Sequence, residues 1–266
     1  MKQKREQSVS NAKIAIVFFA FIIFIVGISL IFKLIIIISN GQFDSSRRFT
    51  LSITNNKNIE IMSLSPSLNN ITIFKFNDTL SSSQAGRLLE IPIDGNIESK
   101  SINLNQSANS LFMNAVINYN KLKTKLTIVD ILKLLILTKT IPESAVDTVT
   151  VGDQGGLVKD NIVGNSVNDD LIEKDNQTVQ IINRTNVSGL GGRLAKMIAN
   201  MGGNVILVMS EDNSIKKSAI TYLDKETHTV DRLQKILGYE VIREPSNAMA
   251  DITIIIGEDK VNSLPF

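Results

Sequence analysis

The sequence predicts an α/β (α+β) protein in three parts: an N-terminal transmembrane helix, a small mixed α/β middle domain, and a C-terminal βαββαββ-type sheet with helices on one face. Three observations predict it. An unbroken apolar run, "IAIVFFAFIIFIVGISLIF" (residues 14–32), has the length needed to cross a ~30 Å hydrocarbon layer as a helix. Short runs that alternate apolar and polar residues follow it, the period-2 pattern of strands. From Gln177 onward, strand-like and helix-like periodicities alternate in blocks.

The order of elements follows from these patterns. Residues 1–13 read as a cytoplasmic tail, because Lys2, Lys4, Arg5 and Lys13 precede the apolar run and positive charge stays on the cytoplasmic side. The membrane helix is assigned to 14–38. A cleaved signal peptide fits less well: the run is longer than a typical h-region, continues past Lys33 into "LIIII", and no A-x-A-like site follows. This gives a single-pass cell-membrane protein with its later domains extracytoplasmic.

"SNGQFDSSRR" (39–48) reads as a juxtamembrane linker. "RFTLSIT", "NIEIMSL" and "NNITIFKF" are then three half-buried strands in an antiparallel meander. Serines 81 to 83 introduce one helical turn carrying Ala85, Leu88 and Leu89 before Pro92 and the Asp94-Gly95 turn. "SANSLFMNAVINYN" and "TIVDILKLLILTKTI" have helical spacing, the second with Thr127 as N-cap and Asp130 completing a capping box. One strand, "TVTV", closes a middle domain spanning 49–151. The Gly-, Asn- and Asp-rich stretch 152–176 reads as a linker.

In the C-terminal domain, 177–259, "QTVQIINRT", "NVILVMSE", "KSAITYLD", "YEVIREP" and "DITIIIGED" are strands. "SGLGGRLAKMIANMG" and "THTVDRLQKILG" are helices, the latter capped by Thr227 or Thr229. Residues 260–266 form a tail.

Composition excludes several classes. With 28 basic and 26 acidic residues the net charge is +2, no electrostatic basis for nucleic-acid binding. Cysteine is absent, so disulfide and thiol chemistry are excluded. His228 is the only histidine, which rules out a histidine-rich zinc site and reads as a solvent-facing neighbour of a helix cap. Asp160, Asp169, Asp170 and Asp175 lack the spacing of a calcium loop and read as solvated, so no metal is expected. Asp94 is first of all a turn residue. "KLKTK" (121–125) is a solvated turn or a small basic patch for anionic lipid or polymer.

"NVSGLGGRLAKMIANMGGNV" (186–205) raises the one enzymatic possibility in this domain. A dinucleotide fingerprint needs G-x-G-x-x-G after a strand and an acid after the next. Gly189, Gly191 and Gly192 give G-x-G-G, the third glycine is missing, and Glu211 stands in the acidic position. The domain is too small for a doubly wound nucleotide fold. The glycines therefore read as a tight strand-to-helix turn capped by Ser188 or Asn186.

The series "VQIINRTNVSGLGGRLAKMIANMGGNVILV", "SAITYLD", "TVDRLQKILG" and "ADITIIIGED" resembles the LytR C-terminal domain, which follows the LytR-CpsA-Psr catalytic domain in bacterial envelope proteins. Asn183, Gly189, Ala195, Gly202, Thr221, Tyr222, Asp251, Gly257 and Asp259 carry the resemblance. It implies a non-catalytic cell-envelope domain with a structural glycine turn, partnered by peptidoglycan, a wall glycopolymer or an envelope protein. Ser188, Gly189, Gly191 and Gly192 are its candidate ligand contacts, through helix N–H groups.

A second resemblance covers the middle. "NITIFKFNDTL" and "LLEIPIDGNI" are similar to motifs of the LytR-CpsA-Psr catalytic domain, where arginines grip a polyprenyl pyrophosphate and acids hold magnesium. Asn77 stands where that family has an arginine, beside Asp78 and Thr79, so the domain reads as a degenerate, inactive relative without cofactor. The competing reading is a divergent phosphotransferase attaching glycopolymer to peptidoglycan, with Asp78 and Arg87 as phosphate and metal contacts and magnesium as cofactor.

Overall fold

A computed structural model of the chain describes residues 2–56, 58–152, 163–164, 166–244, 249–262 and 264–265. They contain seven α-helices and eleven strands in two compact units, Met1–Gly41 and Gln42–Phe266.

The first unit is one helix, α1 (Lys2–Ser39), so the residues expected as a tail are helical and continuous with the apolar stretch. Ile16–Ser39, 24 residues, is long and apolar enough to cross a membrane. Its apolar side chains are exposed on every side, among them Phe18, Phe21, Phe24 and Phe32.

The second unit holds two mixed sheets. The first has the order β5-β4-β1-β2-β3-β6, built from β1 (Phe49–Asn55), β2 (Asn58–Ser65), β3 (Asn70–Phe76), β4 (Gly95–Glu98), β5 (Lys123–Thr124) and β6 (Val146–Val151). The expected meander is present, with β1, β2 and β3 antiparallel in sequence. β4 and β6 then flank it parallel to β1 and β3 respectively.

These strands are buried on both faces, not one. Phe49, Leu51, Ile53, Met62, Leu64, Ile71 and Ile73 pack under α3 (Ala108–Ile117) and α4 (Ile128–Thr140). Ile59, Ile61 and Phe74 face the other way, against Ala85 and Leu89 of α2 (Ser82–Leu89) and against Val163 and Val167. The polar positions that looked outward are small, and Thr50, Ser52, Ser63 and Thr72 fit inside between the layers.

Both expected linkers are corrected by this burial. In 39–48, Phe43 enters the core edge-on to Phe49, ring centroids 5.2 Å apart. Arg48 of the same segment is buried and donates to the carbonyls of Asn168 (2.6 Å) and Ser166 (2.7 Å). In 152–176, Val163, Val167 and Ile172 are core residues and α5 (Asp170–Asp175) is a helix, so its described part is packed structure; Asp160 lies outside the described residues. Scattered Val residues among Gly, Asn and Asp were enough to complete the cover that α2 begins on that sheet face.

Asp130 shows how local and distant needs meet in one side chain. Thr127 caps α4 and Asp130 closes the box as expected, accepting from the Thr127 N–H at 2.8 Å. The same buried carboxylate also accepts the N–H groups of Gln42 and Phe43, each at 3.1 Å. It thereby fixes where the second unit's chain begins.

The second sheet has the order β10-β9-β11-β7-β8, from β7 (Thr178–Asn183), β8 (Asn204–Ser210), β9 (Ala219–Tyr222), β10 (Glu240–Arg243) and β11 (Ile252–Ile256). Helices α6 (Leu190–Asn200) and α7 (His228–Leu237) lie on one face, as expected. Their Leu194, Met197, Ile198, Val230, Leu233 and Leu237 share a core with Val179, Ile181, Ile220, Ile252 and Ile254. The pairs β7/β8, β11/β7 and β10/β9 are parallel and β11/β9 is antiparallel.

Replacing Asp130 with alanine strips two caps at once. In a soluble Gln42–Phe266 fragment, Asp130→Ala is expected to lower unfolding free energy by about 2–4 kcal/mol, since buried donors lose their acceptor. Urea denaturation reads it, and a loss below about 0.5 kcal/mol would mean water replaces the carboxylate.

Candidate functional site

The glycine turn connects β7 to α6 in a parallel βαβ unit, the setting a dinucleotide site would need. Its parts are otherwise occupied. Gly189 is the N-cap in the left-handed region (φ 83°), and no side chain caps the helix there. Asn186, expected as a cap, instead directs its backbone N–H (2.9 Å) and side-chain amide (3.2 Å) to Glu258. Ser188 is exposed and also does not cap.

A Cβ on Gly191 would stand 3.0 Å from Val208 Cγ1, so this glycine lets the helix lie close on the sheet. Gly192 faces open space. Glu211, in the position of a ribose-binding acid, is ion-paired with Arg184 at 3.0 Å. The turn is a packing device in which Gly189 and Gly191 do separate jobs.

The other residues that carry the LytR C-terminal resemblance also hold the sheet. Asn183 donates to the Val187 carbonyl at 2.9 Å and accepts from Thr185, closing the turn. Asp251 accepts the N–H and hydroxyl of Thr178 at 2.8 and 2.7 Å, pinning the starts of β7 and β11 together. Asp259 does the same for Ser218 at 2.9 and 2.7 Å. Gly257 lies where a Cβ would meet the Lys217 backbone at 2.7 Å, so only glycine fits.

The histidine and aspartate readings are corrected by a buried charge cluster between the sheets. Asp94 is not only a turn residue: it accepts the Thr50 N–H (2.9 Å) and forms a two-pronged pair with Arg232 of α7, one prong at 2.9 Å. The side chains are 4% and 7% exposed for Arg232 and Asp94, so the pair is out of water. Arg47 comes to 4.0 Å from Asp94, and Asp169 to 3.8 Å from Arg232.

Asp169 is buried, not solvated, and meets His228 at 3.4 Å; that histidine is half-buried, not solvent-facing. Asp175 accepts the N–H and hydroxyl of Thr229, both at 2.7 Å, and supplies the cap expected of Thr227 or Thr229. Asp170 accepts from Ser67 at 2.7 Å.

Electrostatics inside the cluster follow from burial and proximity. Burial works against the charge on Arg232, but Asp94 and Asp169 outweigh it and hold its pKa above the usual value. Arg47 is held below it by burial and by the neighbouring Arg232 charge. Burial alone would raise Asp169, and the bond from His228, the Leu171 N–H and Arg232 together bring it below the ordinary carboxylate value. The cluster neutralises itself, which suits a joint between layers.

Asp78 and Arg87 are exposed, on the β3–α2 connection and the last turn of α2. Their side chains make no hydrogen bond or ion pair with any described residue. Lys123 of the small basic patch pairs with Glu98 at 3.3 Å. Among the described residues no group of three or more His, Asp or Glu is placed to hold a metal. Arg47, Arg48 and Arg232 are the buried cations that sequence reasoning passed over; two of them sit in a stretch whose small polar residues looked like a linker.

With this geometry in place, the C-terminal half has a class. Residues 176–259 match the family described as LytR cell envelope-related transcriptional attenuator. The second sheet with α6 and α7 is the part of the chain that matches this LytR C-terminal family, and the match covers neither the first sheet nor α1. No curated protein matches the chain. Two solved structures are similar to part of it. The transcriptional regulator yvhJ from Bacillus subtilis shares 10% identity over 41% of this chain and 84% of its own, with a TM-score of 0.32. The Lin1025 protein from Listeria innocua shares 10% identity over 40% and 83%, with a TM-score of 0.29.

Gly191→Ala is expected to destabilise the Gln42–Phe266 fragment by about 1–3 kcal/mol through overpacking against Val208, while Gly192→Ala raises stability by roughly 0.5–1 kcal/mol. Thermal unfolding distinguishes them, and equal effects would refute the assignment of separate roles. Arg232→Met is expected to cost about 3–5 kcal/mol because Asp94 is left buried and unpaired. Combined with Asp94→Asn, the loss should be smaller than the sum of the single losses, and additivity would show that the pair is not coupled.

Proposed function

We propose that this chain is a single-pass, membrane-anchored protein of the bacterial cell envelope, with its amino terminus cytoplasmic and its two sheets extracytoplasmic. It works by recognition, binding a wall polymer or an envelope protein through the LytR C-terminal-type domain. The observation that carries this reading is the family match over residues 176–259 in a chain whose N-terminal helix can cross a membrane. Lys2, Lys4, Arg5 and Lys13 before the apolar stretch support the orientation.

The self-neutralised charge cluster and the structural use of the motif residues favour binding over turnover. Asp78 and Arg87, the contacts needed by a divergent phosphotransferase, lack the buried, charge-focused setting in which a pyrophosphate is held. If Ser188 and the first-turn N–H groups of α6 meet a ligand, Gly189 and Gly192 are the glycines of the turn with open space before them, and of the two only Gly192 has an ordinary backbone conformation that accepts a side chain.

Co-sedimentation of the 42–266 fragment with purified sacculi tests the reading. The fragment is expected to pellet with the wall, and its Gly192→Ala variant to pellet less. Failure of the fragment to pellet would overturn wall recognition and leave a protein partner as its ligand.

A further inference from the structure

The helical layer over the first sheet is apolar on its outer side as well as its inner one. Neighbouring helices α3 and α4 pack on the same sheet face, α3 through Leu111, Phe112 and Ala115, α4 through Ile131, Leu134 and Leu135. Positions turned away from the sheet are polar in a layer that ends at water. Here each helix instead places an apolar i, i+4 pair there, Met113 and Ile117 on α3 and Leu132 and Ile136 on α4. All four are exposed, Ile117 at 73% and Ile136 at 64%. Contiguous apolar patches of this kind mark partner or membrane surfaces.

Charge around the patch is mostly positive. Residues 98–143 hold six lysines against Glu98, Asp130 and Glu143, and Asp130 is buried. Glu98 offsets Lys123 at 3.3 Å. Lys121, Lys123 and Lys125 are exposed in the α3–α4 connection, and Lys133 and Lys139 are exposed on α4 itself. Lysine stems lie along apolar surface while their ammonium groups reach outward to anions.

The chain ties the apolar helix α1 to this same layer. Gln42 and Phe43 donate their N–H groups to Asp130 in the first turn of α4, and the Gln42 and Thr127 N–H groups share one oxygen of it, at 3.1 and 2.8 Å. Gln42 is only three residues beyond Ser39, where α1 ends, a reach of at most about 11 Å even for extended chain. With α1 in a membrane, its own backbone holds the start of α4 within reach of the headgroups. Lys125 stands two residues before the Thr127 cap at that start.

We propose that the outer face of α3 and α4 docks on the anionic lipid headgroups around the anchor, its four apolar side chains entering the interface and its lysines meeting the phosphates. This rests on the membrane-anchored reading and is independent of what the second sheet binds.

The chain has no tryptophan, so a single introduced one reports its own surroundings. Full-length protein with Ile117→Trp or Ile136→Trp is reconstituted in vesicles of phosphatidylglycerol and phosphatidylcholine with brominated acyl chains. Emission should be blue-shifted and quenched. Phe24→Trp in α1 is the anchor control, and Val187→Trp, exposed beside the glycine turn, is the water control. Quenching at Ile136→Trp should fall at least about twofold in phosphatidylcholine alone and when Lys133→Gln and Lys139→Gln are added, since a lysine near the surface is worth about fivefold in affinity for anionic lipid. Quenching at Phe24→Trp but at neither helix position would overturn the docking face and leave the anchor standing. Absence of quenching at every position would overturn the anchor reading and the docking face together. Blue-shifted but unquenched emission would assign the face to a protein cover, and equal quenching in neutral lipid or at Val187→Trp would show no anionic-lipid face; each overturns the proposal.

Discussion

The arrangement of the second unit depends on one buried ion pair, Arg232 with Asp94. Asp94 is fixed to the first sheet by exchanging hydrogen bonds with Thr50, its N–H reaching the Thr50 carbonyl at 2.8 Å. Arg232 belongs to a helix of the second sheet. Taking both charges out of water is repaid only by close, two-pronged geometry, so the pair tolerates one relative placement of the layers and no other. Around it Lys196 meets Glu90 at 2.9 Å, and Asn200 donates to the Leu89 and Glu90 carbonyls. The end of α2 is thereby fastened to α6 as well.

Seen from this joint, the stretch between the two sheets changes character. It supplies Val163 and Val167 to one core, Ile172 to the other, Asp169 to the charge cluster and Asp175 to the N-terminus of α7. Arg48 grips two of its carbonyls from the start of β1. The region that matches the LytR C-terminal family is in this chain part of one compact unit with the first sheet.

Local readings succeeded where the governing interaction lies within a few residues. The capping box of Thr127 and Asp130, the meander from "RFTLSIT" to "NNITIFKF", and the strand-helix order after Gln177 each follow from short-range periodicity or capping chemistry. The site residues were less legible. Asp94 looks like a turn residue because Asp-Gly is a turn dipeptide, and nothing nearby announces an arginine 138 positions later.

The sequence by itself determined the apolar helix, the meander of the first sheet, the order of strands and helices after Gln177 and the family resemblance of that last region, because composition, periodicity and motif spacing are properties of neighbouring residues; the short strands β4 and β5, read as turns, were missed. Tertiary structure alone decided that the first sheet is covered on both faces, that two apparent linkers are core, and that Arg47, Arg232, Asp94 and Asp169 share one buried cluster. Those outcomes rest on desolvation and on pairings between residues far apart in sequence, up to 138 positions, where each charge is stable only because the fold has already brought its partner to it.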